Sequence, residues 1–287
     1  MREAMFYLKE GDKIKCQLCP RECLLSEGQK GFCRSREVIN GALIATSYGK
    51  TIALSLDPIE KKPLYHFHPG SMIVSLGPNA CNLTCKFCQN WEISQQDCFT
   101  RFLSIEELIA VINDQPIKQV AFTYTEPLMW YEYILDFAAQ APEIDVVLVT
   151  NAYLNKKPWQ NILKVTKAVN IDIKSYRDKF YRDICGGKLE VILANIITAK
   201  EMDVHIELTN LLIPGYNDSE EELTDLAKFI ASVDLNIPLH ISAYRPCYKM
   251  NVRPTTSEEV ENACEIASRY LKYVYAGNVH SSRFYRR

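Results

Sequence analysis

From residue 71 onward, apolar and polar positions alternate in a regular rhythm. Short runs rich in branched aliphatic residues predict strands at 72–76, 120–124, 145–150, 169–173, 204–212, 239–243 and 273–275. Between them, residues 104–113, 128–141, 189–202, 219–233 and 257–270 carry the apolar spacing of helices. Two of these stretches open with serine followed three residues later by glutamate, Ser104 with Glu107 and Ser219 with Glu222, the signature of a capping box. Strand–helix alternation predicts an α/β fold with a parallel sheet and right-handed crossovers, and six or seven units predict a full or partial (β/α) barrel.

The chain begins differently. Residues 1–36 form a cysteine-rich head with Cys16, Cys19, Cys23 and Cys33. Residues 37–57 are rich in β-branched side chains around an Asn40-Gly41 pair and predict a β-hairpin or two short strands. Pro58 and Pro63 then mark a connector. The expected division is head plus hairpin over residues 1–60 and barrel over residues 61–287.

Polar residues gather at one end of the predicted strands. Asn79 to Asn90 follow the first, Thr125-Glu126-Pro127 the second and Thr150-Asn151 the third. Asp172 and Lys174 close the fourth, and Pro214 to Asp218 follow the fifth. These are carboxyl ends, where barrel enzymes place their chemistry. Asp172 and Lys174 lie two apart, so both point to one face of an otherwise apolar strand, read here as the inner face. His240 is expected near a strand end facing the same mouth. Trp91 and Trp130 are expected to pack.

Composition narrows the function. With 33 Lys+Arg against 35 Asp+Glu in 287 residues, the net charge of −2 includes no polybasic stripe, so a phosphate-tracking nucleic-acid binder is not supported. No apolar run approaches the roughly 20 residues that cross a bilayer, and the charged opening MREAMFYLKEGDKIK lacks a signal-peptide core. The expectation is a cytoplasmic protein with neither membrane nor nucleic-acid partner. In that compartment, 11 clustered cysteines point to metal or redox chemistry rather than disulfides.

Cys81-Asn-Leu-Thr-Cys85-Lys-Phe-Cys88 is the sharpest signal. Three thiolates at these spacings can wrap one face of a [4Fe–4S] cube and leave one iron open, whereas such clusters normally take four cysteines and structural zinc sites four closed ligands. Cys98, ten residues further on, is the alternative fourth ligand.

This C-x3-C-x2-C loop, with Phe87 before its last cysteine, resembles the radical S-adenosylmethionine (SAM) enzymes. Residues 57–66 (DPIEKKPLYH), 88–94 (CQNWEIS), 124–127 (YTEP), 170–174 (NIDIK), 185–187 (CGG) and 213–218 (IPGYND) extend the likeness. Together they resemble the radical SAM enzymes of the AmmeMemoRadiSam system, relatives of the pyruvate formate-lyase activating enzyme. The resemblance implies a partial (β/α)6 TIM-like barrel in which SAM caps the open iron through its amino and carboxylate groups. It also implies reductive cleavage to a 5′-deoxyadenosyl radical that abstracts hydrogen from a substrate, here an unidentified one for which a protein or peptide is considered. Glu126, beside Thr125, matches the family's turn for the SAM ammonium, and Lys174 is the candidate for its carboxylate. Asp172, Asn151 and His240 are expected along the methionine or ribose edge, and the backbone beside Phe87 along adenine. An electron donor such as flavodoxin or ferredoxin and Memo-like or Ammecr-like partners are implied as well.

Two alternatives stand beside this reading: an activase that installs a glycyl radical in a partner, and a non-catalytic zinc-binding scaffold. The chain departs from the family in ending at Ser281–Arg287 without a further cysteine pair, and in lacking a basic, glycine-rich lead-in to its cluster motif. The head's four cysteines fall within eighteen residues and suit either a closed zinc site or an auxiliary iron–sulfur cluster. Cys185, before two glycines, is a candidate hydrogen donor or extra ligand. Cys264 is read as core, and Cys247 carries a weaker functional reading.

Overall fold

Nine strands form one sheet in the computed structural model, which describes residues 1–279 and Phe284. They are β1 (Lys50–Pro58), β2 (Met72–Pro78), β3 (Arg101–Phe102), β4 (Gln119–Phe122), β5 (Asp145–Thr150), β6 (Ala168–Asp172), β7 (His205–Leu212), β8 (Leu239–Ala243) and β9 (Val274–Gly277). The spatial order is β9-β8-β7-β6-β5-β4-β2-β1-β3. From β2 to β9 every neighbour in that order is parallel, while β1 pairs antiparallel with β2 and with β3. Among the described residues β3 and β9 stand at the two ends of the strand order and do not pair with each other, so the barrel is partial.

The helices follow the strands in turn: α1 (Ile105–Asn113), α2 (Tyr131–Gln140), α3 (Lys156–Leu163), α4 (Leu189–Glu201), α5 (Glu220–Asp234) and α6 (Ser257–Ser268). Six strand–helix units and a closing strand result. Strands such as β4, with all four residues buried, are covered on both faces, as parallel sheets require. Ser104 and Glu107 form the expected reciprocal cap. At α5 only half of the box forms: Ser219 accepts from the Glu222 N–H, but the buried Glu222 carboxylate accepts from Ser175 and from the Tyr176 N–H instead. That diversion fastens the loop leaving β6.

The Asn40-Gly41 hairpin forms between Arg36–Ile39 and Ala42–Ala45, both turn residues taking positive φ. Residues 50–58, the rest of the stretch read as hairpin, join the large sheet as β1. The head adds a small antiparallel sheet of Tyr7–Glu10, Lys13–Cys16 and Leu24–Leu25. It is fastened to the barrel by Arg36, whose guanidinium meets the α2 carboxylate of Glu132 at 2.6 Å with both side chains 1% exposed. The Met5 N–H donates to the same carboxylate. Residues 281–287 lie outside the described residues apart from Phe284.

The segment at residues 57–66 closes the barrel from below. The Tyr65 and His66 N–H groups donate to Glu207 of β7, and the Pro63 carbonyl accepts from Asn170 of β6. The same Glu207 carboxylate pairs with His240 at 2.7 Å and His205 at 3.1 Å. His240 therefore belongs to a buried network deep in the barrel, not to the mouth where the sequence reading put it. It is the second residue of β8, near the amino end. Ser242, two residues on and so on the same face, is the one that reaches the cavity above.

Candidate active site

A cavity of about 340 Å³ opens at the carboxyl ends of the strands, within the range of small-molecule sites. It brings together Cys81, Cys85, Cys88 and Phe87 from the loop after β2, Thr125 and Glu126 after β4, Asn151 after β5, and Asp172 and Lys174 from β6 and its exit. Nine residues singled out from the sequence thus border one space.

The loop carrying the three thiols is held from behind. Its Thr84 and Lys86 N–H groups donate to the carbonyls of Cys185 and Ile184, at 2.9 and 3.0 Å. The following glycines permit that approach: a Cβ on Gly187 would stand 2.7 Å from Leu83, and one on Gly186, at φ +70°, 2.7 Å from Thr84. Cys185 itself is fully buried and does not border the cavity. Its thiol hydrogen-bonds to Cys85, and that bond, with nearby Lys174, holds the Cys85 thiol below its ordinary pKa despite burial. Burial pushes the Cys81 thiol up, and the charge of Glu126 adds to the effect. Cys88 lies 3.3 Å from the Ser94 hydroxyl. Cys98 is elsewhere, in a separate depression with Asn79 and Arg34.

Glu126 is buried. It accepts from the Thr150 hydroxyl at 2.6 Å, the Asn151 N–H at 2.9 Å and the Leu128 N–H at 3.1 Å. An ionised carboxylate offers about four acceptor positions, so one remains for a donor in the cavity. Burial dominates these bonds and pushes its carboxyl up to about 7. Asn151 also donates to Asn82 at 3.0 Å, tying the β5 turn to the thiol loop. Lys174 meets Asp172 at 3.1 Å and lies 5.9 Å from the Phe87 ring centroid. Burial works against its charge, but Asp172 and the neighbouring thiols outweigh it and keep the ammonium protonated.

Several features of the site escaped the sequence reading. Tyr124 takes φ +70° at the end of β4, an uncommon conformation for a bulky residue, and its carbonyl accepts from Asn90. Its hydroxyl donates to Asp57 at 2.9 Å, and Asp57 also pairs with buried Lys62 at 2.8 Å. The 57–66 motif thus fixes the rim as well as the floor. Ala152, beside Asn151, is a second left-handed residue at φ +51°. Thr209, Leu211 and Ser242 complete the wall from β7 and β8.

The donor set fits a cluster held at three corners: three thiols on one loop face an open cavity that also offers a carboxylate and an ammonium. Among the described residues, no group of three His, Cys, Asp or Glu side chains is already arranged to hold a metal ion, so loading would draw the sulfurs together. No helix in those residues is long and apolar enough to cross a membrane.

Comparison with known proteins gives the family. An uncharacterized protein of Methanocaldococcus jannaschii is 42% identical over 288 residues, covering 97% of this chain and 86% of that one. The 4-hydroxyphenylacetate decarboxylase activating enzyme of Clostridioides difficile is 25% identical over 175 residues, 54% of this chain and 55% of its own. In fold, the chain resembles a radical SAM methyltransferase from Sphaerobacter thermophilus with a TM-score of 0.59 at 14% identity, over 76% of this chain and 68% of that one. The model of the radical SAM superfamily matches residues 77–230, more than half of the sequence, and the chain belongs to that superfamily.

Proposed function

We propose that this SAM-dependent enzyme uses the cavity to hold SAM against a [4Fe–4S] cluster carried by Cys81, Cys85 and Cys88, and abstracts hydrogen from a protein or peptide substrate. The observation that carries the reading is the meeting of three thiols, Glu126 and Lys174 around one space. When bound, the cluster and SAM supply an electron and a 5′-deoxyadenosyl radical.

The residues supply binding and alignment. The vacant acceptor position of Glu126 suits an ammonium. Lys174, held by Asp172, suits a carboxylate as a charge-assisted partner. Asn151 and Asp172 line the path between them, and Phe87 offers a ring and adjacent backbone to adenine. Cys185 acts on Cys85 through its hydrogen bond rather than meeting the substrate. An adjoining depression of about 500 Å³, lined by Arg245, Pro246 and Cys247, shares Gln89 and Asn278 with the cavity and offers the substrate its place.

Finer identity within the superfamily rests on the motifs quoted above, which support the AmmeMemoRadiSam system, with Memo-like and Ammecr-like partners and a flavodoxin or ferredoxin as electron donor. The Clostridioides relative favours a second reading, activation of a glycyl-radical partner. Reduced protein mixed with candidate partners separates the two, since only the activase produces a glycyl-type paramagnetic doublet. For the first reading, anaerobic incubation with SAM and a strong reductant is expected to release 5′-deoxyadenosine, and Cys85→Ala to abolish both the product and the cluster's absorption. Product from the alanine variant would overturn the assignment.

A further inference from the structure

The four head cysteines surround a second, much smaller space. Cys16, Cys19, Cys23 and Cys33 all line a pocket of about 10 Å³, room for a single atom. Among the described residues no three of these sulfurs already stand at metal-binding distance, so an ion would draw them in; so small a space suits one divalent ion at about 2.3 Å from four sulfurs better than an eight-atom iron–sulfur cube. Three of the sulfurs have a local backbone donor, the Leu18 N–H at Cys16, the Arg21 N–H at Cys19 and the Phe32 N–H at Cys23 (3.4 Å), while Cys33 lies 3.4 Å from the Ser35 hydroxyl, which donates to the Met129 carbonyl. Arg36 lies against the same space, close enough to Cys16 and Cys33 for their charges to interact. Its Nε is buried without a hydrogen-bond partner among the described residues.

Between Cys19 and Cys23, Arg21 reaches out of the head. Its Nε donates to the Asn82 carbonyl at 2.9 Å, and another guanidinium N–H donates to the Gly186 carbonyl. One side chain therefore holds both the cluster loop and the glycine turn behind it.

We propose that the head binds a single zinc ion through Cys16, Cys19, Cys23 and Cys33, and that this ion fixes Arg21 as a clamp on the loop carrying Cys81, Cys85 and Cys88. A head this short has little core of its own, and a metal supplies the missing rigidity. Ion binding draws the four sulfurs inward around the existing space. The ion takes no part in electron transfer.

Metal analysis of anaerobically purified, cluster-loaded protein tests the ion independently of any activity. One zinc per chain beside about four irons is expected. Protein without zinc, whatever its iron content, overturns the proposal. Removing the zinc by prolonged anaerobic incubation of the intact protein with a zinc chelator, the iron content being checked as unchanged, avoids a variant that fails to fold. Backbone amides of residues 82–88 should then exchange about tenfold faster, the loss of about one charged hydrogen bond. Arg21→Ala should reproduce that change with zinc retained. Unaltered exchange in both cases refutes the clamp.

Discussion

Replacing Glu126 by glutamine removes an ionisable carboxyl from the wall of the cavity proposed to hold SAM and leaves the shape nearly unchanged. In the ligand-free protein, burial raises this carboxyl from 4.5 to about 7. That displacement amounts to about 3 kcal/mol of resistance to charging. The sign follows directly: as pH rises from 4.5 through about 7, the folded protein loses that stability, because the unfolded chain releases the proton first. An arriving ammonium offsets the cost only if the carboxylate is ionised. Apparent SAM affinity in the wild type should therefore fall about tenfold per pH unit below about 7 and level off above it. Glu126→Gln should weaken binding by about 10- to 100-fold at neutral pH, the loss of one charge-assisted hydrogen bond, and flatten the pH profile. Calorimetric titration of anaerobic, cluster-loaded protein between about pH 5.5 and about 7.5 stays below the titration of the ligand's own amino group. A flat wild-type profile, or the same break in the glutamine variant, would refute the assignment of Glu126 to the ammonium.

Lys174→Ala should weaken SAM binding by about 10- to 100-fold while iron content stays constant, because the lysine faces the cavity and is not a ligand; equal affinity in the same calorimetric titration would misplace the carboxylate. Glu207 titrates in the opposite direction from Glu126. Against the upward push of burial, His205, His240 and the Tyr65 N–H hold its carboxyl down to about 2, so its contribution is present above 4.5 and is lost as pH falls from there through about 2. Glu207→Gln should remove about 3 kcal/mol at neutral pH and flatten that acid window, read from urea unfolding at several pH values.

Much of the fold was legible because local rules and tertiary packing agreed. The apolar runs at 72–76, 145–150 and 239–243 became β2, β5 and β8 nearly residue for residue. α3 gave no such signal: it spans only Lys156–Leu163 and carries Pro158 in its first turn, where proline is tolerated, though its presence there argues against a helix in isolation. The head sheet was missed because Tyr7–Glu10 is largely exposed and polar, leaving no alternation to read. At the site, residues marked by chemistry were found, and the Tyr124–Pro127 and Cys185–Gly187 motifs were picked out, but the positive φ of Tyr124 and the packing of the Cys185–Gly187 turn behind the thiol loop were not read from them. His240 shows a different limit. The reading placed it near a strand end at the mouth, but its depth along β8 is set with the partner Glu207, which lies 33 residues away in sequence.

The central claim is that three cysteines hold a cluster whose remaining corner meets SAM. The most direct test is electron paramagnetic resonance of the reduced, anaerobic cluster before and after SAM is added. A shifted signal, together with about four irons at the Cys81–Cys88 loop, is predicted. A signal unchanged by saturating SAM would mean that the fourth corner is already occupied by the protein, and would contradict the account.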